Sequence, residues 1–199
     1  MRAEIARGGM GAIYHAFDRQ LGREVAIKVV IPGGRTDIRL RRFVKEAQIT
    51  GQLQHPGVPP VYELGRLPDM RPFIAMKYVG GDTLRTLLDR RLKPSRDLPR
   101  LLDVFEQLCQ TVGFAHTKHR IVHRDLKPAN VMVGKHGETQ VMDWGIAKIL
   151  DEAVGRLDVD EFEEPGSNAA NGVDVGSDWS NVDSAVTRAG AVLGTPAYM

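Results

Sequence analysis

Apolar residues cluster along this chain in short β-branched runs first and in longer helical stripes afterwards. Ala12 to Phe17 and Val25 to Val30 are β-rich and are separated by the turn-like stretch Asp18 to Arg23, so residues 2–30 read as strands. After a loop at 32–35, Thr36 or Asp37 can cap a helix running to about Leu53. On it Phe43, Ala47 and Thr50 recur at helical spacing, and so do Leu40, Val44 and Leu53. His55-Pro56-Gly57 breaks that helix. Val61 to Leu64 and Phe73 to Met76 then read as a strand pair around the turn Leu67 to Arg71. Lys77 to Gly81 reads as a linker. Asp82 can cap a short helix over 83–90, and Asp97 or Ser95 can open a longer one to about Lys118. The positions Leu101, Leu102, Phe105, Leu108, Cys109 and Val112 predict one buried face on the longer helix, with Cys109 as packing. Val131 to Val133 and Thr139 to Met142 form a hairpin turning at 134–137. Strands before helices predict an α+β chain of two lobes, residues 1–79 and 80–199.

Beyond Leu150 the pattern dissolves. Residues 151–191 are rich in acids, Gly, Asn and Ser, a composition that cannot bury enough apolar surface to order itself, and a mobile loop is expected there. Within it, residues 151–186 hold ten acids and one Arg, a net of −9, so the remainder carries +11. That division predicts a basic body that meets anions such as phosphates. The whole-chain charge of +2 is too small to imply nucleic acid by itself. The single Cys109 excludes a disulfide framework and a Cys-based zinc site and fits a reducing compartment. No run approaches the ~20 apolar residues of a membrane helix, and Met1-Arg2-Ala3-Glu4 leads into no apolar signal region. A cytoplasmic protein is the expectation, and no dimer contact is legible.

The chemistry concentrates in His123-Arg124-Asp125-Leu126-Lys127-Pro128-Ala129-Asn130. A carboxylate, an ammonium and an amide fall within six residues of a segment too polar and short to be core. Ten residues later a short apolar run ends in Asp143-Trp144-Gly145. A base, a cation and two oxygen donors for a metal make up the inventory of a phosphoryl-transfer site. Further back, Ala6-Arg7-Gly8-Gly9-Met10-Gly11 joins the first two strands; such a turn is either a plain hairpin tip or a backbone cradle for an anion. Lys28 sits in an otherwise buried-looking strand, as a snorkelling edge residue or a phosphate ligand. Glu46 lies beside the apolar stripe of its helix, as a solvated residue or as an ion-pair partner of Lys28.

Taken in order, Gly8 to Gly11, Ala26-Ile27-Lys28, Glu46, Met76 to Val79, His123 to Asn130, Asp143-Trp144-Gly145 and Gly194-Thr195-Pro196-Ala197-Tyr198-Met199 resemble the eukaryotic-like, bacterial serine/threonine protein kinases over nearly the whole chain. The resemblance implies a bilobal kinase fold with a β-rich N-lobe and a mainly helical C-lobe. It implies ATP and Mg²⁺ as cofactors and protein Ser/Thr hydroxyls as acceptors. Ala6, Gly8 and Gly11 would cover the ATP phosphates, Lys28 contact them and Glu46 orient Lys28. Ile13 and Ala26 would sandwich the adenine; Met76 would be the gatekeeper, with Lys77 and Val79 pairing to the adenine edge through backbone. Asp125 would act on the acceptor hydroxyl, Lys127 screen the γ-phosphoryl, and Asn130 and Asp143 hold the metal. Arg124 would anchor a phosphate on the activation segment, with Thr187 and Ser184 as candidates, and Thr195 would contact Asp125 and Lys127 near the acceptor.

The sequence departs from the family pattern in four places. Ala6 replaces the opening glycine, Trp144 the usual Phe after the metal-binding Asp, and Lys77 the common hinge Glu. Lastly, the chain stops at Met199, where the family continues into Ala-Pro-Glu and further helices. An incomplete C-lobe is therefore expected, with the underside of the 97–118 helix partly exposed.

Overall fold

A computed structural model describes residues 3–8, 11–31, 36–150 and 195. Five antiparallel strands form the first layer: β1 (Ala3–Arg7), β2 (Gly11–Asp18), β3 (Arg23–Val30), β4 (Val61–Arg66) and β5 (Pro72–Lys77), in the order β1-β2-β3-β5-β4. The interior position of β3 explains its sequence. A strand flanked on both sides and covered by a helix carries an almost continuous apolar run, and Val25, Ala26, Val29 and Val30 are all buried. The β2–β3 hairpin is drawn tight at Gly11, where a Cβ atom would stand 2.3 Å from the Val29 carbonyl oxygen.

Helix α1 (Thr36–Gln52) lies between two apolar clusters. Phe43 and Ala47 pack with Ala26, Val30, Ile74 and Met76 of the sheet. Ile49 and Leu53 pack instead with Val58, Ala115, Ile121, Val141, Trp144 and Ala147. One helix thus belongs to both halves of the molecule, and Glu46 sits between its two contact faces.

The second half consists of β6 (Gly81–Thr83), α2 (Leu84–Asp89), α3 (Leu98–His119), β7 (Ile121–Val122), a 3₁₀ turn at Pro128–Asn130, β8 (Val131–Gly134), β9 (Thr139–Val141) and β10 (Lys148–Ile149). Strand order β6-β8-β9 makes a small sheet, and β7 pairs with β10. The loop after α1 ties the halves together. The Val141 N–H donates to the Gly57 carbonyl at 2.7 Å, and Gln140 Nε2 donates to the Pro56 carbonyl at 3.1 Å. Gly57 lies so close to α3 that a Cβ there would fall 1.8 Å from Thr111 Oγ1.

Three local expectations are corrected. Thr83, not Asp82, caps α2: its hydroxyl accepts from the Thr86 N–H at 3.1 Å, while Asp82 pairs with Arg90. Gly81 belongs to β6, so the linker read over 77–81 ends one residue earlier. The buried face of α3 is also not the one its apolar residues suggested. Val104, Thr111 and Ala115 are buried, whereas Leu102 (57% exposed), Phe105 (61%) and Cys109 lie exposed. Packing decides this: α3 sits against β7 and β9, and Val104 shares a cluster with Val131 and Val133 of β8, with Leu108 packed against it. Leu98, Leu102 and Phe105 are exposed on the other side of this helix.

Candidate active site

Lys28 is not an edge residue. It sits opposite Ile13 on β2 and Ile74 on β5, with only 8% of its surface exposed. Its Nζ lies 2.5 Å from Glu46 Oε1 and 3.8 Å from Asp143 Oδ1. Glu46 is 5% exposed, which excludes the solvated reading. Burial pushes the Glu46 carboxyl above its ordinary value and the charge of Asp143 adds to this, against the pull of Lys28. Its second oxygen, Oε2, is buried with no hydrogen-bond partner among the described residues. Glu46 lines a small cavity with Thr50, Met76, Met142, Asp143 and Trp144.

The 123–130 segment gathers a closed network around one carboxylate. Lys127 Nζ donates to Asp125 Oδ2 at 2.7 Å and to Thr195 Oγ1 at 2.9 Å. The Thr195 hydroxyl donates to Asp125 Oδ1 at 2.7 Å. Asn130 Nδ2 donates to the Asp125 carbonyl at 2.9 Å and to Oδ2 at 3.1 Å. Burial alone would raise the Asp125 carboxyl; the hydrogen bonds from Lys127, Thr195 and Asn130 with the Lys127 charge outweigh it and hold the group below 3.8. Asp125 is therefore an anion at neutral pH with both oxygens oriented. Two residues here adopt positive φ, Arg124 at 66° and Asp143 at 60°. Such conformations persist only where the surroundings over-determine them. Arg124 is fixed by its Nε, which donates to the Ile146 carbonyl at 2.6 Å.

His123 is fully buried beneath this loop. Its Nε2 lies 2.9 Å from the Met142 carbonyl, which can only accept, so that nitrogen carries the proton. Nδ1 then accepts from the Asp125 N–H at 3.2 Å. Burial lowers the imidazole below 6.5, against the Met142 hydrogen bond and the charges of Asp143 and Asp125. A protonated ring would lose the bond from the Asp125 N–H. Because the folded-state value is depressed, the stability contributed by neutral His123 is complete above pH 6.5 and is lost as pH falls through the lower folded value. Urea unfolding between about pH 5 and 7 is expected to show stability declining on the acid side. ¹⁵N shifts of the His123 ring should still report the neutral Nε2–H tautomer at pH 6.5. A ring that is cationic at that pH in the folded chain would contradict this account.

The remaining positions expected to line a nucleotide site lie around the five-stranded sheet. Ala6 pairs with Ile13 across β1 and β2, and the Gly8 N–H donates to the Gly11 carbonyl at 2.9 Å. Ala26 stands opposite Met76, itself 8% exposed. The Lys77 N–H is bonded to the Pro60 carbonyl at 3.0 Å, and Val79 is buried. Thr187 and Ser184, the rest of the acidic 151–191 stretch and the glycine-turn positions Gly9 and Met10 lie outside the described residues.

A family comparison matches residues 1–162 to the protein kinase domain. This chain belongs to the protein kinase domain family. The chain is 32% identical to the serine/threonine-protein kinase PknD of Protochlamydia amoebophila over 210 residues, covering 98% of this chain and 19% of that protein. Against PknD of Chlamydia pneumoniae the identity is 33%, covering 98% of this chain and 20% of that one. Against the probable serine/threonine-protein kinase SCO3848 of Streptomyces coelicolor it is 40%, over 75% and 22%. The chain thus spans about a fifth of the length of these relatives.

The donor atoms in this kinase domain suit a hard cation. The described hydrogen bonds of the Asn130 amide run from its nitrogen to Asp125, which leaves the oxygen for a metal. The Asp143 side chain is 48% exposed and supplies carboxylate oxygens. Among the described residues no cluster of three or more His, Cys, Asp or Glu could hold a metal by itself. Two oxygens fit Mg²⁺, which keeps waters and takes further ligands from substrate phosphates. Also among the described residues, no helix is long and apolar enough to cross a membrane. Sequence reasoning missed the support beneath this kinase site, namely the His123 bridge from Met142 to Asp125 and the Trp144 Nε1 donation to the Val141 carbonyl at 3.1 Å. The aromatic Trp144 next to Asp143 was the one available hint.

Proposed function

We propose that this chain is the nucleotide-binding and catalytic part of a protein serine/threonine kinase, transferring the γ-phosphoryl group of ATP to Ser or Thr hydroxyls of a protein. The observation that carries the reading is the convergence of Asp125, Lys127, Asn130 and Thr195 into one network, with Asp143 bridging to the buried Lys28–Glu46 pair. Kinase chemistry asks little covalent work of the protein and depends on positioned charge.

Each side chain then has a task it can perform where it stands. Asp125, anionic and oriented, accepts a hydrogen bond from the acceptor hydroxyl, and Thr195 already shows a hydroxyl docked on that carboxylate. Lys127 holds a positive charge 2.7 Å from Asp125, where a transferring phosphoryl would accumulate negative charge. Lys28, oriented by Glu46, contacts the nucleotide phosphates beneath Ala6, Gly8 and Gly11. Ile13 and Ala26 cover the adenine, Met76 bounds its pocket, and Lys77 and Val79 pair with it through backbone. For Lys77 that pairing falls to the carbonyl, because its N–H is bonded to Pro60. Asn130 and Asp143 hold Mg²⁺. Held by Asn130 and Asp143, Mg²⁺ would supply positive charge to offset the negative charge that develops on the phosphate oxygens. Residues 1–79 form the nucleotide-facing lobe and 80–199 the acceptor-facing part. Thr187 and Ser184 are proposed as activation-segment phosphorylation sites that Arg124 pairs with.

Incubation with γ-labelled ATP, Mg²⁺ and a generic protein substrate tests the reading. Label on Ser and Thr that disappears on chelation of the metal is expected. Label that persists at equal rate without divalent cation would overturn it.

A further inference from the structure

Alternate residues of a strand share a face, so Ile13 and His15 lie together on β2, opposite Lys28 and Ala26 of β3. Met76 of β5, opposite Ala26, lies on that face too. The same face packs on α1 and turns Lys28 toward Glu46 and Asp143. His15 therefore extends the row of Met76 and Ala26 proposed to bound the adenine. Both His15 and Glu24 lie outside the segments that carry the family resemblance. The His15 ring stacks on the Tyr78 ring, with centroids 4.3 Å apart and planes 26° from parallel. On the β3 side, Glu24 Oε1 lies 3.1 Å from His15 Nε2. Tyr78 is the first residue after β5, between Lys77 and Val79, and it packs against the cluster of Ala26, Phe43, Ile74 and Met76.

We infer that His15 is a positioning residue for the nucleotide base: its ring, set between Glu24 and Tyr78, clamps the start of the linker to β2 and so fixes the backbone of Lys77 and Val79 relative to Ile13 and Ala26. The inference rests on the proposed pairing of Lys77 and Val79 with adenine. From the β4 side the linker is already tied, because the Lys77 N–H donates to the Pro60 carbonyl at 3.0 Å. The stack ties it from the β2 side. Held at both sides, the backbone at 77–79 cannot shift without parting the two rings. An aromatic pair resists that through its preferred ring geometry as well as through buried area. A base then meets a backbone whose ordering has been completed before binding.

Two substitutions separate the stack from the contact with Glu24. His15→Phe keeps an aromatic ring and removes the nitrogen that faces Glu24. His15→Leu removes the ring. In the ligand-free protein, amide hydrogen exchange at residues 78–80 is expected to accelerate about fivefold in His15→Leu, the contribution of one aromatic pair, while exchange at residues 26–29 of β3 stays as in the wild type. Binding of an ATP analogue labelled on the ribose should weaken by a similar factor. Binding of inorganic triphosphate, which has no base, should not change, whereas a general loosening of the site would weaken both. His15→Phe should recover most of each loss. Unchanged exchange in His15→Leu would overturn the clamp, as would equal losses in His15→Phe and His15→Leu or an equal weakening of triphosphate and analogue. The wild-type titration judges the kinase reading separately: if no nucleotide binds, that reading fails, whereas the exchange comparison in ligand-free protein still decides whether the clamp exists.

Discussion

Asp125→Asn is expected to slow phosphoryl transfer by about 10²–10⁴-fold, the usual contribution of a positioned acid–base group. The geometry explains why so conservative a change is severe. Both Asp125 oxygens are engaged, Oδ1 by the Thr195 hydroxyl and Oδ2 by Lys127 Nζ and the Asn130 amide. An amide in the same place has one acceptor oxygen and one donor nitrogen. Whichever way it turns, its NH₂ faces a hydroxyl that has been donating or an ammonium that can only donate. The variant also loses the negative charge on which Lys127 is centred. Lys28 and Glu46, which lie in the strand and helix of the other lobe, keep their own contacts. Nucleotide affinity should therefore change far less than the rate. Single-turnover transfer set beside equilibrium titration of the nucleotide checks this. Transfer at an equal rate by wild type and Asp125→Asn would remove Asp125 from the reaction.

Lys28→Met is expected to destabilise the fold as well as impair nucleotide binding. The Lys28 and Glu46 side chains are 10% and 7% exposed, so each depends on the other for its charge. Removing one partner of a buried pair costs about 3–5 kcal/mol, because the remaining charge is left without compensation. In a domain of this size each 1 kcal/mol shifts the melting temperature by roughly 2–4 °C. Replacing both partners by apolar residues of similar volume, Lys28→Met with Glu46→Leu, should restore most of the loss. The single variant should also recover in acid. Burial already holds the Glu46 carboxyl above 4.5, and a raised value means that the protonated form is the better-tolerated one in the folded state. The penalty in Lys28→Met is then smallest below pH 4.5 and grows as pH rises through the folded value. Denaturant unfolding of wild type, single and double variants makes the comparison. Equal stability of the single and double variants would show that the ion pair, and not the loss of side-chain volume, was misjudged.

These two variants probe the parts of the site that were most and least legible beforehand. Asp125, Lys127 and Asn130 stand within six residues, so their proximity follows from chain connectivity. The meeting of Lys28 with Glu46 does not. It joins a strand to a helix, and both residues had reasonable surface readings until β3 proved to be an interior strand. The contacts of Thr195 across 68 and 70 residues are of the same long-range kind; the family pattern suggested them, and the folded chain alone supplies the distances.

Local sequence determined the elements of this protein. Turn residues at 18–23 and 67–71, β-branched runs at 25–30 and 73–76, and the 3.6-residue periodicity of 40–53 each depend on neighbours a few positions away, and each element formed close to its expected bounds. The sequence also carried the chemistry, because motif residues adjacent in the chain must be adjacent in space. Tertiary structure alone decided which face of α3 is buried. Its apolar residues occupy more than one side, and the choice fell to the β-strands packed against Val104, Thr111 and Ala115 rather than to the residues' own hydrophobicity. It decided the burial of Lys28 and Glu46 and the fold-back of the Trp144 indole in the same way. The free energy of a buried charge or donor is set by partners far away in sequence, and these appear only once the chain has closed around them.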